Sequence, residues 1–222
     1  MKPILLINLK AYKEGTGENA LKLAKIADSF ASENVEIILA VQPVDIKLIS
    51  DNGGLKVFSQ HVDPIGYGKY TGWILPESIK QAGASGTLLN HSERRMEPET
   101  IEKSIKRCKE LKLTTVVCTP AVEEGERIAE FEPDFIAFES PELIGTLKSV
   151  SRLEPESVKR FVEAAKKINP KVIPLCGAGV ANSEDVRAAI KLGTSGVILA
   201  TAVVKSRKPE KIIRELVEGF SK

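Results

Sequence analysis

The 222-residue chain is 42% apolar, 28% charged and 5% aromatic, which provides for a large folded core and excludes disordered and collagen-like classes. Its 32 Lys and Arg nearly balance 30 Asp and Glu, and a net charge of +2 is too small for the basic footprint that nucleic-acid binding requires. No apolar run reaches the roughly 18 residues of a membrane span, and the opening Met1-Lys2-Pro3-Ile4-Leu5-Leu6-Ile7-Asn8 turns polar too soon for a signal-peptide core. A cytoplasmic location with neither membrane nor nucleic acid as partner is expected.

Short apolar runs recur in chain order at Pro3 to Leu9, Val35 to Val41, Lys56 to His61, Gly86 to Asn90, Thr114 to Cys118, Phe135 to Phe138, Lys171 to Cys176 and Gly196 to Ala200. They show little alternation, as strands buried on both faces of a parallel sheet do. Between them, Asn19 to Glu33, Thr100 to Leu111, Glu156 to Ile168, Ser183 to Leu192 and Pro209 to Phe220 return apolar residues every three or four positions and read as amphipathic helices. Start signals stand at Pro98 and Glu99, at Glu154-Pro155-Glu156 and at Asn182-Ser183-Glu184-Asp185; Gly193 and Gly219 supply stops.

Eight βα units with no linker or composition break predict one (β/α)8 barrel domain over residues 1–222. An open doubly wound sheet is disfavoured because no GxGxxG turn follows the first strand. In such a barrel the functional groups sit at the C-terminal strand ends.

Those ends carry Asn8 and Lys10 after the first strand, Gln60 and His61 after the third, Asn90 to Arg95 after the fourth and Glu139 after the sixth. Singly, Lys10 reads as a solvated charge and Glu139 as a cap; together they aim unlike groups at one mouth. His91, leaving its strand, is placed to meet the positive end of a following helix, which favours a neutral imidazole able to donate to a carbonyl oxygen; a structural histidine is the alternative. Glu139 closes the apolar run Phe135-Ile136-Ala137-Phe138, a setting for a general base. Ser140 to Thr146 combines Pro141 with Gly145, as either a hinged lid or a static loop. The small-residue turns Cys176-Gly177-Ala178-Gly179-Val180 and Leu199-Ala200-Thr201-Ala202 follow adjacent final strands, where backbone N–H groups can hold a phosphate monoester.

These pieces resemble the triosephosphate isomerases, in particular the short archaeal type, over essentially the whole chain. Asn8-Leu9-Lys10 resembles the family's Asn-x-Lys, His91-Ser92-Glu93-Arg94-Arg95 matches its histidine motif, and Glu139 with Ile144-Gly145-Thr146 resembles its base and lid. The resemblance implies a TIM barrel that interconverts dihydroxyacetone phosphate and D-glyceraldehyde 3-phosphate through an enediolate, in glycolysis and gluconeogenesis. It implies Glu139 as base, neutral His91 as proton relay, Lys10 and Asn8 as substrate-binding groups and Glu93 as organiser of Lys10, with Arg94 or Arg95 neutralising Glu93 at a subunit contact. Phosphate would be held by N–H groups near Ile144, Gly145, Gly179, Ala200 and Thr201, with no metal and no cofactor.

Three positions depart from the family pattern. Leu147 stands where a glycine usually ends the lid, Ser140 where many members have Pro, and Ala200-Thr201 where many have Gly-Gly, whose N–H donors survive only without positive φ. Gln60-His61-Val62-Asp63 and Tyr70-Thr71-Gly72 resemble the family's subunit interface, and Gly66 to Trp73 is long and aromatic enough to insert into a neighbour. The implied assembly is a homo-oligomer, dimer or tetramer, with the tetramer favoured.

Two alternatives remain at this stage. One is another phosphosugar barrel, an epimerase or a Schiff-base aldolase using Lys10. The other is a catalytically inactive barrel that binds a phosphometabolite or serves as a scaffold, for which Leu147 is the best support. The cysteines Cys108, Cys118 and Cys176 lack CxxC spacing and read as buried free thiols in a reducing compartment, and two histidines are too few for a His-rich zinc centre.

Overall fold

The computed structural model describes residues 2–32 and 34–221; Met1, Glu33 and Lys222, which the expected domain and the first expected helix include, lie outside the described residues. Eight strands close into a parallel barrel in sequence order: β1 (Ile4–Asn8), β2 (Glu36–Val41), β3 (Lys56–Ser59), β4 (Gly86–Leu89), β5 (Thr114–Thr119), β6 (Phe135–Phe138), β7 (Ile173–Cys176) and β8 (Gly196–Leu199), with β8 pairing back onto β1. Around it run α1 (Glu18–Asp28), α2 (Ile46–Ser50), α3 (Pro76–Gln81), α4 (Pro98–Glu110), α5 (Val122–Glu130), α6 (Val150–Leu153), α7 (Pro155–Ile168), α8 (Ser183–Lys191), α9 (Thr201–Val204) and α10 (Pro209–Glu218).

The strands divide their side chains between two cores. Ile4, Leu6, Ile38, Phe58, Leu88, Val116, Ala137 and Leu175 fill the barrel interior, whereas Leu5, Ile7, Ile37, Leu39, Val117 and Ile136 face the helices. Both faces are therefore apolar, which explains the unbroken runs in the sequence. At the C-terminal rim the runs give way to Asn8, Asn90 and Glu139.

Helix starts match the local chemistry. Pro98 and Pro155 occupy the first turns of α4 and α7, where a missing N–H costs nothing, and Asn182 Oδ1 accepts from the N–H groups of Glu184 (3.0 Å) and Asp185 (3.1 Å) at the start of α8. Gly193 ends α8 at φ +92°, but Gly219 keeps a right-handed φ of −63° and is no left-handed stop. The first helix ends at Asp28, short of the expected Glu33: the Ser29 hydroxyl donates to Ile26 O and the Phe30 and Ala31 N–H groups bond three residues back, tightening the last turn. The third strand ends at Ser59, because Ser59 Oγ donates to His61 O and curls the chain away from the ladder.

Candidate active site

The end of β1 is folded back on itself. Asn8 Oδ1 accepts the Lys10 N–H at 3.0 Å, and Lys10 takes a left-handed φ of 50°, a strained choice for a residue with a long side chain. Gln60, from the rim of β3, donates to Asn8 Oδ1 (3.3 Å), Lys10 O (2.9 Å) and Ala40 O (3.3 Å), fixing the bend. The result buries Lys10 and aims its ammonium at Glu93, which accepts at 2.7 Å.

Beyond β4, Asn90 also has positive φ, at 58°, and its side chain is spent on structure: it donates to Cys118 O (2.9 Å) and Glu124 Oε1 (2.7 Å) and accepts from the Met96 N–H (3.0 Å). His91 follows, buried. Its Nδ1 accepts the Glu93 N–H at 3.2 Å, which leaves Nε2 as the ring nitrogen free to donate. The donor differs from the expected one. The segment after His91 is a turn closed by Arg94 N–H on His91 O, and α4 begins only at Pro98, so one turn amide rather than a helix end faces the ring.

Glu139, the first residue past β6, is buried, and its Oε2 stands 3.8 Å from His91 Nε2, too far for a hydrogen bond. That oxygen has no hydrogen-bonding partner among the described residues. On its β7 side Glu139 packs against Gly177, where a Cβ would sit 2.6 Å from Glu139 Cγ. Inside the barrel the Cys118 thiol is pushed well up by burial and by the Glu139 carboxylate beside it.

The loop after β6 leaves at Ser140 and returns at Val150, whose N–H donates to Ala178 O at 3.2 Å. Within it Gly145 carries the positive φ, +75°, and Leu147 does not; Leu147 lies exposed to solvent. At the return, Gly179 (φ +71°) packs directly on the Lys148 carbonyl and admits no Cβ. Ala200 has φ −140°, and Thr201 opens α9, so neither position takes the positive φ that would have turned its N–H away.

One cleft is lined by Asn8, Lys10, His91, Glu139, Ile144, Gly145, Gly179, Ala200 and Thr201. Every candidate residue except Glu93 thus meets in it, and Glu93 touches it through Lys10. Neither neighbouring arginine pairs with Glu93. Arg95 forks onto Glu124 at 2.5 and 2.6 Å, and Arg94 reaches toward Asp63 at 3.9 Å. Among the described residues, no group of three or more His, Cys, Asp or Glu is placed to hold a metal ion. No helix among them is long and apolar enough to cross a membrane. Sequence reasoning missed Gln60 as a brace for Asn8 and Lys10; an amide just past a strand end was the available signal.

The model of the triosephosphate isomerase family matches residues 3–216. The chain belongs to the triosephosphate isomerase family. It is 46% identical to a triosephosphate isomerase of Methanothermus fervidus, covering 97% of this chain and 98% of the relative. It is 48% identical to one from Methanobacterium bryantii (97% and 96% covered) and 46% identical to one from Methanocaldococcus jannaschii (97% and 99% covered). This isomerase therefore acts on triose phosphates, and nothing in the comparisons supports the inactive-barrel or aldolase alternatives.

Proposed function

We propose that the cleft interconverts dihydroxyacetone phosphate and D-glyceraldehyde 3-phosphate by proton shuttling between Glu139 and His91. Glu139 takes a proton from C1 of the ketose; the C1–H electron pair becomes the C1=C2 bond, and the C2 carbonyl electrons move onto oxygen. The His91 Nε2–H donates to that oxygen, the imidazole then recovers a proton from the C1 hydroxyl, and the protonated Glu139 returns its proton to C2. Lys10 opposes the negative charge of the enediolate, Asn8 orients the substrate oxygens and Glu93 keeps Lys10 in place.

The observation that carries this reading is Glu139 Oε2. A buried carboxylate oxygen without a hydrogen-bonding partner is costly, and here it faces the donor nitrogen of a neutral imidazole in the cleft that Lys10 and Asn8 also line. Phosphate is held by N–H groups of Ile144, Gly145, Gly179, Ala200 and Thr201, and lid closure keeps water from the enediolate. The chemistry calls for no metal and no cofactor. An assay coupled to oxidation of the aldose tests the assignment: Glu139→Gln should lower kcat by a hundredfold to ten-thousandfold or about that, the usual worth of a general base, while phosphate-ester binding persists. A variant that turns over normally removes Glu139 from the role.

The working enzyme is a homo-oligomer, dimer or tetramer with the tetramer favoured, in the cytoplasm, serving glycolysis and gluconeogenesis. Exposed Tyr67, Tyr70 and Trp73 support assembly, as does a second space of about 750 Å³ beside Lys10 and Glu93. Light scattering coupled to gel filtration reads the number of subunits; a monomer at working concentration contradicts the assembly.

A further inference from the structure

Glu139 sits between two residues held by the same helix. On one side, the Phe138 ring packs against Phe161 of α7 with centroids 5.2 Å apart, and Phe161 is fully buried. On the other, Ser140 is buried and its Oγ donates to Glu154 Oε1 at 2.8 Å. Glu154 occupies the N-cap position of α7, where the helix dipole favours a carboxylate. The Glu139 N–H is tied to Thr119 O at 2.9 Å, but past that bond β6 has ended and no ladder holds the backbone. The hydroxyl bond takes over where the ladder stops.

This bond also isolates the base from the lid. It joins Ser140 to Glu154, 14 positions on and past α6, so residues 141–149 lie inside a closed loop whose first residue is held to the start of α7. A Cβ at Gly177 would displace the Glu139 side chain, so the close approach of β7 and the backbone at 139–140 together set where the carboxylate lies. Displacing a reacting group by about 1 Å can cost up to a hundredfold in rate, and a hydroxyl donating to a carboxylate is among the stronger hydrogen bonds available for preventing it.

We propose that Ser140 and Glu154 form a positioning pair that holds the Glu139 carboxylate in register with the substrate while the lid opens and closes. The pair touches no substrate and acts through the backbone at Ser140; the proposal rests on the reading of Glu139 as base.

A double-mutant cycle in steady-state kinetics tests it. Ser140→Ala and Glu154→Ala should each lower kcat about tenfold, the factor one hydrogen bond to a charged group converts to, with KM for triose phosphate within about twofold of wild type. The double variant should be no slower than either single one. Glu154→Gln, whose amide oxygen still accepts the hydroxyl, should keep nearly full kcat. Ser140 already has φ −58°, which suits proline, and its N–H meets no backbone acceptor among the described residues. Ser140→Pro should therefore recover part of the rate that Ser140→Ala loses. A role in folding alone would lower the melting temperature and leave kcat per folded molecule unchanged.

Single variants within about twofold of wild-type kcat, or losses that multiply in the double variant, overturn the pair. If the Glu154 variants do not fold, Ser140→Ala decides alone by the same twofold limit. Glu139→Gln in the same assay separates the two levels: normal turnover there removes the base, whereas a large loss there with none in Ser140→Ala removes only the pair.

Discussion

Lys10 and Glu93 share a 2.7 Å hydrogen bond across opposite solvent conditions, the lysine side chain being 8% exposed and the glutamate 58%. The asymmetry matters because the ammonium has given up most of its water and retains one carboxylate in exchange, while the carboxylate remains wet. Replacing Glu93 therefore leaves a sealed charge without its partner. Glu93→Gln should cost about 1 kcal/mol of stability, a figure held low by the exposure of the glutamate, and raise KM while lowering kcat roughly tenfold. Kinetics and thermal unfolding indistinguishable from wild type would reduce the pair to a surface contact.

Gly179 marks the place where the end of the 140–149 loop crosses the turn after β7. A Cβ there would lie 1.8 Å from the Lys148 carbonyl oxygen, and the residue sits at φ +71°. Gly179→Ala should destabilise the fold by about 2 kcal/mol or more and weaken binding of a phosphate ester, since both the turn and the lid end must shift. Calorimetric unfolding together with a phosphate-ester titration checks both effects; a loss under about 0.5 kcal/mol would mean the backbone relaxes freely.

His61 gives the stability a pH dependence. Burial holds its imidazole below the ordinary histidine value, with Arg94 adding to the shift and the 3.1 Å contact to Asp63 opposing it. The unfolded chain then binds a proton more readily than the folded one. This contribution is whole above about pH 6.5 and is lost as pH falls through the window below it. In His61→Asn, denaturant midpoints should vary less between pH 7 and 5 than in wild type, and an equal or steeper acid slope in the variant would contradict the assignment.

The three cysteines should be silent in the native protein. Burial raises the thiols of Cys108 and Cys176 to about 12 and that of Cys118 well above its usual value, so none supplies thiolate at neutral pH. An aromatic disulfide reagent should react at the rate of unfolding, and stoichiometrically only in denaturant. A thiol that titrates rapidly in native buffer would show an opening at that position.

The barrel was legible because closure buries both strand faces, so Ile4-Leu5-Leu6-Ile7 reads as one unbroken run, with Asn8 marking the rim. The same logic exposed Glu139, the first charge after an apolar strand. What escaped were contacts between segments far apart in sequence: Gln60 on the Lys10 carbonyl, Ser140 on Glu154, and Arg95 choosing Glu124 over its near neighbour Glu93. The first and the last of these lie beside left-handed turns at Lys10 and Asn90, which no periodicity announces. The end of α1 was misplaced for a related reason: Ile26, Ala27 and Phe30 continue the helical spacing past the point where Ser29 closes the last turn.

The most direct test of the central claim is a crystal structure with 2-phosphoglycolate, a mimic of the enediolate. Its carboxylate should lie about 3 Å from Glu139, His91 Nε2 and Lys10 Nζ together, with the phosphate against the N–H groups of Gly145, Gly179 and Thr201. A mimic seated elsewhere, or one whose carboxylate misses both Glu139 and His91, would contradict the proposed chemistry.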